Sequence, residues 1–154
     1  MDFQHSLESE GVGSAYPDQP LATTPDASIG SVMQLLRAQR NGAMLICEGS
    51  ALVGIVTERD ALKVMAAGTD LNTPVREIMS SPPATIDSTA TVGEAIRRMA
   101  EGGYRHLPIV ANGLKPTGVL AVHGIVHHLV DHFPETVYNL HPDPNSRSRE
   151  REGA

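Results

Sequence analysis

The chain of 154 residues has one cysteine, no tryptophan, three tyrosines and two phenylalanines. A lone cysteine, Cys47, excludes an internal disulfide and suits a reducing compartment. It sits inside the apolar run Met44-Leu45-Ile46-Cys47 and reads as a small packed hydrophobe. Scarce aromatics argue against a stacking surface for single-stranded nucleic acid, and they leave the core to aliphatic side chains. Lysine and arginine are missing from residues 1–36, which hold the acids Asp2, Glu8, Glu10, Asp18 and Asp26. Most of the formal charge of −6 therefore lies at the start. The remaining body is near neutral and offers no broad basic face to duplex DNA. No basic-then-apolar leader opens the chain, and no apolar run approaches the roughly 20 residues that span a bilayer. The expectation is a soluble, cytoplasmic protein with neither nucleic acid nor membrane as partner. An activated nucleophile beside His and Asp, a P-loop and a zinc-hydrolase motif are all missing, so the chain reads as a non-enzyme with no catalytic residues.

What is present is order, repeated. Residues 1–19 are polar, acidic and broken by Gly11, Gly13 and Pro17, and are expected to form a flexible arm with a helical turn near residues 3–7. A first unit spans 20–70. It comprises a brief strand at 21–23, an amphipathic helix over 29–39 carried by Ile29, Val32, Met33, Leu35 and Leu36, a strand at 43–47, a hairpin turn, a strand at 51–56 and a helix over 59–67. After a linker at 69–74 and a short helix at 75–79, a second unit over 75–133 repeats the pattern. Residues 91–99 match 28–36 at an offset of 63, and Gly118-Val119-Leu120 matches Gly54-Ile55-Val56 at 64. Two strand–helix–strand–strand–helix units define an α+β chain, each small sheet needing its neighbour to complete a core. The tail over 134–154 is Pro-, Ser- and charge-rich and is expected to be largely disordered.

Gly54-Ile55-Val56-Thr57-Glu58-Arg59-Asp60 is the first unit's strand-to-helix corner. A hydroxyl, a carboxylate, a guanidinium and free N–H groups at a helix start suit a sugar phosphate, the acid for the ribose diol and the helix end with Arg59 for phosphate. A second reading needs no ligand: Thr57 caps the helix and Asp60 reaches back to the cap N–H.

The order of three motifs carries a family resemblance: this corner, Ile78-Met79-Ser80-Ser81-Pro82, and Tyr104-Arg105-His106-Leu107-Pro108-Ile109-Val110. Over residues 20–132 the chain resembles a tandem pair of cystathionine-β-synthase-type (CBS) domains, also called a Bateman module, and it is similar to the small stand-alone bacterial CBS-pair proteins. The resemblance implies two three-stranded, helix-flanked sheets packed with pseudo-two-fold symmetry into a disc, with two clefts between them. It also implies a regulatory sensor of an adenosyl ligand (AMP, ADP or ATP, or a relative) and an unknown regulated protein. Ligand residues carried over are Ile55 for the base, Thr57 and Asp60 for ribose and first phosphate, and Met79, Pro82, Ala84, Tyr104 and Arg105 closing the cleft. Arg59 and Arg105 are the phosphate candidates. The second corner departs from the pattern, with Ala121 for Thr57 and Gly124 for Asp60. One competent and one degenerate cleft are expected.

The helix over 124–132 and its approach carry His123, His127, His128 and His132. The pairs 123/127 and 128/132 are spaced for chelation but lie on different faces, and Asp131 is the one carboxylate at ligand spacing. A polar or interface helix face explains them without an ion, and no metal site is assigned. Leu62, Val64 and Met65 with Ile125, Val126 and Leu129 are expected to leave an apolar face that makes the protein a homodimer. Rival functions are a structural dimerisation module with vestigial clefts and a metal-responsive regulator working through His123–His132.

Overall fold

The computed structural model describes residues 3–39 and 42–132. Asn41 and the tail over 134–154 lie outside the described residues. In chain order the elements are helix α1 (Phe3–Ser9), a 3-10 turn (Val12–Ser14), β1 (Ala22–Thr23), α2 (Ile29–Gln39), β2 (Ala43–Glu48), β3 (Ala51–Thr57) and α3 (Glu58–Ala67). A second 3-10 turn (Val75–Glu77) precedes β4 (Ile86–Asp87), α4 (Val92–Gly102), β5 (His106–Ala111), β6 (Lys115–Ala121) and α5 (Val122–His132).

Each unit is one small sheet with its helices. β1 runs parallel to β2 and β2 antiparallel to β3, and β4, β5 and β6 repeat that topology. The apolar runs 43–47 and 107–110 are buried along their length, as strands covered on both faces must be. α4 begins where Thr91 Oγ1 accepts the Glu94 N–H at 3.2 Å, a side-chain cap that satisfies one orphan donor of the first turn. Its buried side chains, Val92, Ala95 and Met99, join Leu107, Ile109, Leu120 and Ile125 in the second unit's core. In the first unit Val32 and Leu36 meet Met44, Ile46 and Val56. A third cluster joins the two sheets, with Ala43, Leu45, Cys47, Leu52 and Ile55 against Val110 and Val119. Burial pushes the Cys47 thiol pKa up, so it stands here as a packed hydrophobe. The expected two-sheet α+β architecture is what the chain forms.

The segment before β1 differs from the expected flexible arm. Val12 and Ala15 are fully buried in the second unit's core. The Val12 N–H donates to Ala90 O at 3.0 Å and the Val92 N–H to Glu10 O at 2.8 Å. Gly11 bridges Thr91 and Asp18 bridges Val119, as Pro74 bridges Ser28 and Ser80 bridges Ile55. The arm is thus the symmetry counterpart of the inter-unit linker, and each lies along the sheet it helps to close. Arg97 is paired with Glu8 of α1, and Arg98 donates to Thr85 O, so neither is a purely solvent-facing cation.

Candidate functional site

β3 delivers Ile55 and Thr57, and α3 delivers Asp60 one turn later. Thr57 is extended (φ −118°), so its N–H points to the carboxylate three residues on and donates to Asp60 Oδ2 at 2.8 Å, while its hydroxyl donates to the same oxygen at 3.3 Å. The capping interaction is therefore present. Asp60 Oδ1 carries no hydrogen bond among the described residues, and the side chain is half-exposed. One oxygen caps and the other is free to accept from a ligand, so the two roles do not compete.

The linker meets this corner edge-on. Ile55 N–H donates to Ser80 O at 3.1 Å, Ser80 N–H to Ile55 O at 2.9 Å, and Ser81 Oγ to Val53 O at 2.9 Å. Met79 lies flat on Gly54: a Cβ there would stand 2.4 Å from its sulfur. Ile55, Thr57 and Asp60 share the corner, while the Met79 side chain reaches β3 at Gly54 and packs with the first core. Pro82 follows them on the exposed linker, after a cis peptide bond, and Ala84 turns inward to pack against the second core. Arg59 is exposed beside the corner.

Tyr104 and Arg105, expected on the cleft wall, lie where α4 leads into β5. The Tyr104 ring covers Gly102, and the Arg105 carbonyl accepts the Val122 N–H at 3.1 Å, at the second unit's own corner. No hydrogen bond or ion pair links either to Thr57 or Asp60 among the described residues. The next residue, His106, reaches across to the first unit: its Nε2 would lie 2.7 Å from a Cβ on Gly42. Sequence reading passed over it as part of a strand. Its imidazole pKa is held below the ordinary value chiefly by burial, helped by His123 and Arg105 and opposed by Glu58 and Asp18. The folded state thus favours neutral His106, while the unfolded chain takes up a proton near the ordinary 6.5. This stabilisation is full above that value and is lost as pH falls through the lower folded pKa. Melting points taken from pH 7 to pH 5 should therefore fall less steeply in His106→Gln than in wild type. Identical slopes would contradict the buried neutral imidazole.

The second corner is filled. Gly124 stands where the first corner has Asp60, and a Cβ on it would lie 2.6 Å from Ala15 O and 3.0 Å from Tyr16 O. Main chain from the first segment occupies the place of the missing side chain. Tyr16 is held there at φ 51° with its hydroxyl donating to Asp131 at 2.7 Å, a bond that raises the phenol's pKa and lowers the carboxyl's.

The expected apolar dimer face also changes. Val64 and Ile125 are buried, and Leu129 packs on the second core. Leu62 (64% exposed), Met65 (57%) and Val126 (52%) remain open. Leu62 and Met65 line a groove of about 330 Å³ between α2 and α3, with Met33, Leu36 and Arg37, that reaches Glu58 and Ala61 but neither Thr57 nor Asp60. No helix among the described residues is long and apolar enough to cross a membrane.

A duplicated α+β unit, each sheet closed by a segment from outside it, is the architecture of a paired-domain module. The chain belongs to the CBS-domain family, whose model matches residues 12–67 and again 75–131. CBS domain-containing protein YhcV of Bacillus subtilis (strain 168) is 33% identical over 109 residues, covering 68% of this chain and 78% of that protein. CBS domain-containing protein CBSCBSPB5 of Arabidopsis thaliana is 38% identical over 95 residues, 59% of this chain but 17% of that much longer relative. The solved structure of CBS domain protein PAE2072 from Pyrobaculum aerophilum, complexed with AMP, matches with a TM-score of 0.71 at 25% identity, covering 79% of this chain and 98% of that one.

Proposed function

We propose that this chain is a non-enzymatic regulatory module that binds an adenine nucleotide at the Thr57–Asp60 corner and changes its association with a regulated protein. The observation that carries the reading is the free Oδ1 of Asp60, held in place by the cap and set beside the Ile55–Ser80 pairing. A carboxylate with an unused oxygen suits a vicinal diol, and an apolar strand residue under a linker suits a base. The AMP held by PAE2072 supports the ligand class. Phosphate falls to Arg59 and the first N–H groups of α3. Met79 and the linker through Pro82 and Ala84 form the near wall, and Tyr104 and Arg105 are assigned to the opposite wall. Heating the protein with AMP, ADP and ATP is expected to raise its melting point with at least one, since a ligand preferring the native state stabilises it. No shift with any of them at millimolar concentration would sink the reading.

Self-association is part of this proposal. Leu62 and Met65 beside the α2–α3 groove form an apolar face at a helix pair, and such faces mark interfaces. Light scattering at tens of micromolar should give twice the chain mass, and Leu62→Glu should lower it. A wild-type monomer would contradict the dimer.

A further inference from the structure

The four histidines of α5 are separated by what they face. His123 Nε2 lies 3.4 Å from Asp18 and His127 Nε2 lies 3.1 Å from Asp131, both on exposed surface. His128 and His132 turn instead toward Glu10, 118 residues before the nearer of them. This carboxylate is the third group that helical spacing alone could not supply.

His128 is fully buried, and neither of its ring nitrogens has a hydrogen-bond partner. Glu10 Oε2 approaches Nε2 to 2.7 Å, yet it too is buried without a hydrogen bond. At that distance the missing bond is a matter of direction: the oxygen stands off the axis along which an N–H would point. A contact this short with no bond leaves both atoms unsatisfied, and an ion held between them would satisfy both. His132 completes the set. Its Nδ1 is 3.1 Å from the His128 carbonyl, which can only accept, so Nδ1 carries the proton and Nε2 keeps its lone pair. A ring nitrogen donating to a backbone carbonyl while the other stays basic is the usual support of a metal-bound histidine. One ligand atom from each of Glu10, His128 and His132 lies within 4.8 Å of the others.

We propose that Glu10, His128 and His132 form a site for a divalent transition-metal ion, with Zn²⁺ the best fit. Two imidazoles and a carboxylate are borderline donors; Mg²⁺ and Ca²⁺ prefer all-oxygen shells, and without a thiolate Cu(I) is poorly served. Ligands at about 2.0–2.2 Å from a tetrahedral ion stand roughly 3.3–3.5 Å apart. That lies between the 2.7 Å of Glu10 and His128 and the 4.8 Å that bounds the set. The exposed His132 is left any inward turn, and Glu10 makes a short outward swing. It makes that swing from a pinned backbone, its N–H on Ser6 O and its carbonyl on the Val92 N–H. The fourth position is left to water on the side of the exposed His132. An ion here ties the segment that fills the second corner to the helix that follows that corner.

The competing account is a buried Glu10–His128 ion pair with no metal, and titration separates the two. Full-length protein stripped with a chelator is titrated with Zn²⁺ by calorimetry and with Co²⁺ by visible absorption. Expected are one saturable Zn²⁺ per chain, tetrahedral Co²⁺ bands displaced by Zn²⁺, and a higher melting point with the ion bound. Glu10→Gln and His132→Ala should each weaken binding by at least the roughly 10- to 100-fold that loss of a supporting residue costs. His123→Ala and His127→Ala should leave it unchanged. Absence of saturable uptake, or uptake that survives Glu10→Gln and His132→Ala or is lost with His123 or His127 instead, overturns the site.

Discussion

A Gly124→Asp chain, given the acid that its second corner lacks, is expected to melt about 6–12 °C below wild type and to gain no nucleotide site. The added Cβ meets Ala15 O at 2.6 Å and Tyr16 O at 3.0 Å, both main-chain atoms. They cannot drift away, because Val12 is bonded to Ala90, and Asp18 is bonded to Val119 in both directions at 2.8 and 2.9 Å. Overpacking of this kind costs about 1–3 kcal/mol. The carboxylate then faces two carbonyl oxygens with no donor from them, which brings the total to roughly 3 kcal/mol. Gly124→Ala is the sharper control. Alanine is the better helix former by about 1 kcal/mol, so an open corner would make that variant more stable. The seated segment makes it less stable, and a rise in its melting point would show that residues 15–16 do not occupy the corner.

The second large effect falls on affinity. If Asp60 accepts from ribose hydroxyls through its free oxygen, removing its charge deletes charge-assisted bonds worth about 1.5–3 kcal/mol, or roughly 10- to 150-fold in dissociation constant. Asp60→Asn isolates that term. Its amide oxygen can still accept the Thr57 N–H that Asp60 now takes at 2.8 Å, so the cap survives while the charge is gone. Asp60→Ala removes both and is expected to lose about 0.5–2 kcal/mol of folding stability as well. An Asn variant that binds nucleotide as tightly as wild type would leave Asp60 with the cap alone.

The repeat was legible because apolar periodicity survives duplication: Ile29, Val32 and Leu36 and their counterparts Val92, Ala95 and Met99 face their own sheets in both units. The Thr57–Asp60 corner was legible for a local reason, since four residues hold both the strand end and the cap. What escaped the sequence depends on contacts between distant segments. Residues 10–18 read as a loose arm because main-chain bonds hold them and only Val12 and Ala15 are apolar anchors, too few for a periodic signal. Gly124 read as a simple loss of function, whereas the structure gives its smallness a use. Val64 was grouped with Leu62 and Met65, but two residues from Leu62 along a helix it turns to the other side and is 4% exposed. His106, one residue past Arg105, packs across the unit boundary on Gly42, which the spacing of a motif cannot reveal.

The central claim is one competent nucleotide corner per chain, and calorimetric titration with AMP tests it most directly. The account predicts saturation at one AMP per chain in wild type, with that single site weakened at least 10-fold in Asp60→Asn. Two equal, independent sites, or one site indifferent to Asp60, would contradict it.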